Sequence, residues 1–269
     1  MRYFSTVAFY VLAAAFLPAG SCPPSFPTDQ PVYTDGEKLL ADVRARTRSA
    51  KTLRALLRVD AYTSEGRFKV KEILLVERPA RLHVATLSPM DSPLSVLVSN
   101  GDRFALYDQK EQKFFKGPAT PKNIAKLLPV WLSGDEVVGL GFGEPPWGGC
   151  FVKGAARLFV DRDKGQYRIE CPAPTARSWQ RDVYGVDPRS LAVVETERLN
   201  ADGSVSHRIR FSDHAKVGDL LLPRRIQYEN KSKDVDILIK VVETELNEKF
   251  EAGTFELEAP RGVPTIEVK

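Results

Sequence analysis

Cysteine and histidine are scarce in this chain of 269 residues, with three of each. Three cysteines are too few for a scaffold built on disulfides, and three scattered histidines argue against a multi-histidine metal centre. The sequence also has no G-x-S-x-G nucleophile elbow and no glycine-rich phosphate loop between a strand and a helix. We therefore predict a protein that is not an enzyme and that needs no metal and no cofactor.

An excess of one charge is lacking as well. The chain has 39 Lys and Arg against 35 Asp and Glu, and the formal net charge of +4 is spread along its length. Nucleic-acid-binding proteins gather their basic residues on one face or in one tail, so we expect no nucleic-acid partner. The hydrophobic content of 43% is that of a globular protein.

The first residues read as an export signal. One cation, Arg2, precedes the apolar run 7–17. This run is too short to cross the roughly 30 Å hydrocarbon core of a bilayer, but it suits a secretory signal. The following A-G-S-C (19–22) resembles the lipobox of bacterial lipoproteins, with Ala19 where Leu is usual. The resemblance implies diacylation of Cys22, with palmitate-like chains; the alternative is an ordinary signal peptide with a chance cysteine.

A proline-rich segment follows, with four prolines between residues 23 and 31. It cannot form a helix or a central strand, so it indicates a stiff tether between an anchor and a domain. Since Pro23, not Asp, follows Cys22, the lipoprotein resemblance favours the outer membrane, with the protein facing the periplasm. We predict a signal peptide over 1–21, the lipidated cysteine and tether over 22–34, and a single domain over 35–269.

The domain begins with one helix and continues as strands. Thr34 and Glu37 fit a capping box ahead of a helix that ends near Ser49. From Thr52 the hydrophobic period is two, and about six short strands follow. A helical pair, with N-caps at Thr120 and Ser133, precedes about seven more strands. Short turns join the strands, which predicts a strongly curved antiparallel sheet.

Cys150 and Cys171 form an even pair in an exported chain. They flank a predicted hairpin that turns at residues 163–165, and direct pairing about that turn places Cys171 opposite residue 156. Cys150 therefore has to fold back from the Gly148-Gly149 loop to reach it. Both a disulfide and two reduced, half-buried thiols stay open from the sequence.

Four passages resemble the LolA/LolB superfamily of bacterial lipoprotein carriers, and within it LolB-like outer-membrane lipoproteins. They are R-P-A-R-L-H (78–83), N-G-D-R-F-A-L-Y-D (100–108), T-P-K-N-I-A-K-L-L-P (120–129) and F-E-L-E-A-P-R-G-V (255–263). The resemblance covers about residues 36–268. It implies a mainly β fold, an incomplete antiparallel barrel closed by helical lid segments, whose apolar concave face receives acyl chains.

Eight alternating apolar residues line either a filled core or that cavity. The resemblance favours the cavity, whose lining would be Leu57, Val59, Phe68, Val70, Leu82, Val84, Val96 and Leu106.

LolB-like receptors have a protruding loop that helps to deliver the lipoprotein to the membrane. Met90, between Pro89 and Pro93, is the nearest counterpart in this chain. The alternative is a loop whose methionine is tucked into the rim of the barrel. The longer C-terminal half and the Trp147–Gly149 loop depart from a typical LolB.

Other polar residues fit ordinary structural roles. Asp161 and Asp163 flank a plain hairpin turn and lack the further ligands of a cation site. His207, in a strand with Arg208 and Arg210, is expected to be a solvated cross-strand partner, and His83 is expected to face outward.

Three functions compete. The first is a monomeric, lipid-anchored receptor that binds lipoprotein acyl chains or other lipids. It would accept lipoproteins from a soluble LolA-like carrier and help to insert them into the outer membrane. The second is a sensor or scaffold of the same fold that binds lipopolysaccharide or an envelope protein. The third is a structural envelope lipoprotein with a filled core.

Overall fold

The computed structural model describes residues 26–28, 32–64, 66–88, 90–127, 132–173 and 180–269. Its helices are α1 (Gly36–Ala45), α2 (Pro121–Leu127) and α3 (Gly134–Gly141). Its strands are β1 (Thr52–Thr63), β2 (Gly66–Glu77), β3 (Arg81–Leu87), β4 (Pro93–Ser99), β5 (Arg103–Asp108), β6 (Lys113–Pro118), β7 (Arg157–Asp161), β8 (Gln166–Pro172), β9 (Arg181–Val186), β10 (Val193–Leu199), β11 (Val205–Val217), β12 (Leu220–Asn230), β13 (Val235–Leu246) and β14 (Thr265–Glu267).

All fourteen strands belong to one sheet in the order β14-β6-β5-β4-β3-β2-β1-β13-β12-β11-β10-β9-β8-β7. The sheet is open and strongly curved, and its pairs are antiparallel except for β14 with β6. Sequential strands lie side by side because tight turns join them, and β1 pairs with β13 to connect the two runs. The expected mainly β, incomplete barrel is confirmed.

The helix α1 begins one residue later than predicted. Asp35, not Thr34, is the N-cap, and its carboxylate accepts from the backbone N–H groups of Glu37 and Lys38. The carboxylate of Glu37 instead accepts from the N–H groups of Gly154 and residue 156, in the chain ahead of β7. The helix ends at Ala45, and turns carry the chain to residue 49.

In the part of the chain that the structure describes, the helices cover one face of the sheet, here called the inner face. Under α1, residues Leu39, Leu40 and Val43 pack into a cluster with β8–β13 side chains such as Ile169 and Ile209. Under α3, residues Val138 and Phe142 pack into a second cluster with β1–β5. The inner face is thus divided into an α1 half and an α3 half.

The C-terminal segment covers part of the opposite, outer face. The carbonyl oxygen of Thr254 lies 2.8 Å from Nδ1 of His83, and Phe255 is buried. The chain then reaches the far edge, where β14 pairs with β6, a strand that the alternation pattern did not predict. His83 does face outward, but under this segment.

Candidate functional site

Most of the predicted cavity lining does share the inner face. In the antiparallel ladders Val59 lies opposite Val70, and Val84 lies opposite Leu74, which itself is opposite Ala55. Opposed residues in such a pair point to the same side of the sheet. By this rule the inner-face members of the predicted set are Leu57, Val59, Phe68, Val70, Leu82, Val84 and Leu106.

Val96 lies on the other face, so its assignment to the cavity lining was wrong. It is paired with Ala85 and Tyr107, whereas Leu97 lies opposite Val84 and Leu106 on the inner face. The C-terminal segment contacts His83, which lies opposite Val98 on the outer face, and Val98 is only 2% exposed. On β4 the inner face carries Ser95, Leu97 and Ser99, whereas Val96 and Val98 lie on the outer face, so the alternation of this strand indicates the wrong face.

The inner face beneath α3 is packed. Leu57, Leu82 and Val84 are buried in one cluster with Val138 of that helix and Phe142, which follows it. These three predicted lining residues therefore belong to a filled core.

Charged contacts hold both ends of α3. At its start, Ser133 and Glu136 form a capping box, as the sequence predicted, and the Glu136 carboxylate also accepts from Arg198 at 3.0 Å. After its end, Glu144 forms an ion pair with Arg78 at 2.7 Å. Since both ends are paired to the sheet or its turns, we expect α3 to be a fixed cover.

A strip of apolar residues on the same face escapes this cover. Val59, Val70 and Leu106 are only partly buried, and Phe68 is 45% exposed. Partly buried neighbours that pack against the α3 cluster extend it: Phe115, Val217, Leu220, Ile239 and Val241. We call these nine residues the inner strip. Val59 and Ile239 contact both core clusters, so the strip includes the border between the two halves.

One carboxyl lies beside the inner strip. Glu72 is directly opposite Leu57 and Thr86 in the ladders, and the Thr86 hydroxyl donates to its Oε1 at 3.4 Å. Desolvation by burial raises the pKa of Glu72 above its ordinary value, although the Thr86 hydrogen bond opposes the rise. A carboxyl that is readily protonated can both donate and accept hydrogen bonds in an apolar setting.

A pocket of about 390 Å³ lies around the middle of β1 and β2. Val59 and Val70 contribute to its wall, but most of its lining consists of outer-face residues of β1, β2 and β13. It is therefore a feature of the outer face.

Met90 is 87% exposed, so it is not tucked into the rim. Its loop is held from both sides. The Ser88 hydroxyl accepts from the N–H groups of Met90 and Ser92, and Lys71 pairs with Asp91 at 2.8 Å. The backbone is thus restrained while the methionine side chain projects into solvent.

Cys150 and Cys171 are joined by a disulfide, with their Cα atoms 5.2 Å apart. The Trp147–Gly149 loop brings Cys150 back to β8 as the spacing requires. A Cβ on Gly149 would overlap the carbonyl oxygen of Pro172, so only glycine allows this approach. Trp147 packs against Tyr184, whose hydroxyl donates to the Pro146 carbonyl at 2.9 Å.

A buried ion pair lies beside the disulfide in the α1 half. Arg198 Nε is 3.2 Å from Asp182 Oδ1, and the side chains are 4% and 1% exposed. His207, directly opposite Arg198, is also buried, so its prediction as a solvated residue was wrong. Burial, helped by the nearby Arg198 charge, lowers the pKa of His207 to about 3.

The structure describes only part of the predicted lipidation site and tether. Cys22 lies outside the described residues. Phe26, within the predicted tether, is buried and packs edge-on against Tyr167 with ring centroids 5.0 Å apart.

Within the described ranges, the His, Cys, Asp and Glu side chains form no group of three that is suited to a metal ion. No helix in those ranges has the length and apolar character needed to span a bilayer.

Several notable residues were missed. Asp182 and Arg198 lie opposite each other on the consecutive strands β9 and β10, and Glu136 comes from α3. Nothing in their local patterns signals that the three meet. Glu72 follows Lys71 in a strand that reads as alternately charged. Only the register of β1, β2 and β3 places it on the inner face.

No protein-family model matches the sequence, and no curated protein is significantly similar to it. Solved structures are similar in fold. A domain assigned to outer membrane lipoprotein sorting, from Vibrio parahaemolyticus, has a TM-score of 0.59 at 11% identity, over 82% of this chain and 96% of that one. A DUF1329 family protein from Desulfovibrio piger has a TM-score of 0.60 at 11% identity, over 82% and 95%.

A LolA superfamily protein from Nitrosomonas europaea has a TM-score of 0.53 at 9% identity, over 84% of this chain and 99% of that one. The expected resemblance to the LolA/LolB superfamily is thereby confirmed at the level of the fold.

Proposed function

We propose that this protein is a lipid-anchored receptor of the bacterial envelope that binds acyl chains on its inner strip and passes them to the outer membrane without catalysing a reaction. The inner strip is the observation that carries the proposal. Its apolar side chains lie on the helix-bearing face and stay partly buried or, at Phe68, exposed. The same kind of fold occurs in a domain assigned to lipoprotein sorting.

The strip is chemically suited to an acyl chain. Removing apolar surface from water yields about 25 cal/mol per Å², so each methylene buried against Val59, Val70 or Ile239 adds to affinity. Such a surface needs no conserved polar motif. Glu72 with Thr86 would meet the ester or amide group at the head of the chain, because a protonated carboxyl can donate to a carbonyl oxygen.

Delivery needs a place at the membrane. Diacylated Cys22 would anchor the chain, since two lipid chains make attachment durable. Met90, exposed on its restrained loop, would enter the bilayer beside the cargo. A soluble LolA-like carrier would pass the acyl chains to this protein because the two proteins bind them with different affinity. A monomer is sufficient for this step.

The proposal is tested with protein in which Cys22→Ala prevents acylation. This protein is purified from the periplasm of a lipoprotein-producing bacterium and analysed by native mass spectrometry. We expect adducts that extract as phospholipid or acylated lipopeptide. Val59→Asp puts a charge on the inner strip. It should reduce the abundance of the adducts at least tenfold, because desolvating an unpaired charge is strongly unfavourable.

Val96→Asp is the matched control, because Val96 is also partly buried but lies on the outer face. It should retain the adducts. Circular dichroism of both variants shows that each is folded. A bare-chain mass for the Cys22→Ala protein itself, or equal adduct loss in the two variants, would contradict the proposal.

A second function, as a scaffold for an envelope protein, is favoured by a different observation. Phe151 and Val152, next to the disulfide, are 72% and 62% exposed, and Phe159 on the edge strand β7 is 47% exposed. Exposed apolar residues beside a sheet edge are typical of protein-binding surfaces. This function predicts a stable protein complex that Phe159→Ser weakens while lipid adducts persist.

A further inference from the structure

Four cations stand directly opposite one another across the outer face. Lys71 of β2 is paired in register with Arg58 of β1, Arg58 with Lys240 of β13, and Lys240 with Arg225 of β12. We call this set the cation row. All four lie on the face opposite Val59, because each is one residue out of phase with the inner strip.

The rest of the outer face is built differently. On β10, β11 and β12, Arg210 lies between Glu195 and Glu229 and forms ion pairs with both, and Arg208 forms one with Glu197. Opposite charges alternate there. In the cation row like charges oppose each other, which destabilises a sheet. Folding therefore gives no reason for the row.

The middle of the row has no counter-charge. Arg58 and Lys240 are exposed, and neither forms an ion pair within the described part of the chain. At the ends, Lys71 pairs with Asp91 of the Met90 loop, and Arg225 lies 3.9 Å from Asp213. Two neighbouring cations thus face solvent with no carboxylate between them.

The pocket of about 390 Å³ opens along this row. Its wall includes Arg58, Lys69, Lys71 and Lys240, with Ser88 as a neutral donor. Its one carboxylate, Asp60, is already paired with Arg67 through two contacts of 2.6 and 2.8 Å. Lys69 also lies 3.7 Å from Asp60, and Lys71 pairs with Asp91, so Arg58 and Lys240 are the unpaired cations of the wall among the described residues. A concave site with two neighbouring unpaired cationic donors is chemically complementary to a phosphate group.

We infer that the cation row binds the phosphate groups of anionic lipid headgroups and seats this end of the sheet on a membrane surface. Apolar side chains border the row and favour a lipid over a free anion. Met90 is 87% exposed and Leu94 is 41% exposed. The Lys71–Asp91 ion pair joins the Met90 loop to the row. Cations combined with exposed apolar side chains are typical of interfacial binding.

The inference deepens the proposed function by naming the surface on which the receptor works, but it does not depend on the inner strip. The test uses the full chain with Cys22→Ala and measures co-sedimentation with two kinds of vesicle. One contains phosphatidylcholine alone, and the other contains phosphatidylglycerol as well. We expect tighter binding to the second. Arg58→Gln with Lys240→Gln should weaken it roughly thirtyfold, at about 1 kcal/mol for each cation near an anionic surface.

The matched control is Lys153→Gln with Arg189→Gln, which removes the same charge from exposed residues outside the row. It should reduce binding to phosphatidylglycerol vesicles less than threefold. The row variant should unfold at a urea concentration no lower than the parent protein, because it removes like-charge repulsion. It should also keep its lipid adducts in native mass spectrometry, which separates this inference from the inner strip.

Three results would overturn the inference. They are equal binding to both vesicle types, equal loss in the row and control variants, and saturable binding of inorganic phosphate at the row without a preference for anionic vesicles. The last result would assign the row to a free phosphate-bearing ligand.

Discussion

The two halves of the inner face differ in how completely they are closed. In the α1 half, Tyr167, Ile169 and Tyr184 are at most 2% exposed, and a disulfide and a buried ion pair fix the adjoining loop. In the α3 half, a helix held at both ends covers only part of the sheet and leaves the inner strip partly exposed.

This difference in closure gives the two halves different roles. In the α1 half, the buried Asp182 and Arg198 side chains are paired with each other, which is how a buried polar network becomes rigid and specific. In the α3 half, Glu72 has one hydrogen bond, with Thr86, and apolar side chains remain within reach of solvent. We interpret the α1 half as the framework and the strip as the part that meets a ligand.

The strongest test of this comparison removes one carboxyl from each half. Asp182→Ala should lower the free energy of unfolding by about 3 kcal/mol, because it breaks the buried ion pair with Arg198, which keeps Glu136 at 3.0 Å as its other counter-ion. Glu72→Gln should leave stability unchanged or raise it, since the pKa of Glu72 shows that its ionised form is penalised by burial. Urea denaturation measures both.

The double variant Asp182→Ala, Arg198→Ala is the control for the first change. Its loss should be smaller than the sum of the two single losses, because both charges leave together. Additive losses, or equal effects of the Asp182 and Glu72 changes, would show that the two halves do not differ in this way.

The disulfide gives the next largest effect. It links residues separated by 21 positions, and closing a loop of that length restricts the unfolded chain by an amount worth about 3 kcal/mol. Cys150→Ala with Cys171→Ala should lower the unfolding free energy by about this amount and leave lipid adducts unchanged. Parallel loss of adducts would mean that the α1 half takes part in binding.

How far the sequence predicts this molecule depends on whether one face or both are buried. On β1, β2 and β3 the alternation correctly identified the inner face, because the outer face carries charges such as Arg58 and Lys71. On β4 it failed at Val96, because the outer face is buried there as well: Val98 is 2% exposed and lies opposite His83, which the C-terminal segment contacts. Local pattern cannot reveal a cover that comes from more than 100 residues away.

The candidate sites also differ in how far the sequence alone predicts them. Exposure of Met90 between two prolines and the pairing of Cys150 with Cys171 were both among the alternatives that the sequence left open. The cation row was not, because Arg58, Lys71, Lys240 and Arg225 meet only through the register of four strands. The same holds for His207, which the strand register places opposite Arg198 and beside the ring of Tyr228.

His207 allows the subtlest test of the α1 half. Its ordinary pKa is 6.5, and burial lowers it to about 3 in the folded protein. Below pH 6.5 the unfolded chain therefore takes up a proton that the folded protein does not, and stability falls as pH decreases toward 3. The loss should approach about 1.4 kcal/mol per pH unit for this residue.

The measurement is urea denaturation between pH 7 and pH 5 of the parent protein and of His207→Gln. Burial lowers the pKa of His214 too, so the parent slope includes a second contribution that the variant keeps. His207→Gln should make the unfolding free energy less dependent on pH, by an amount that corresponds to the uptake of up to one proton. An identical slope in both proteins would mean that His207 is reached by solvent and that the α1 half opens more readily than its packing implies.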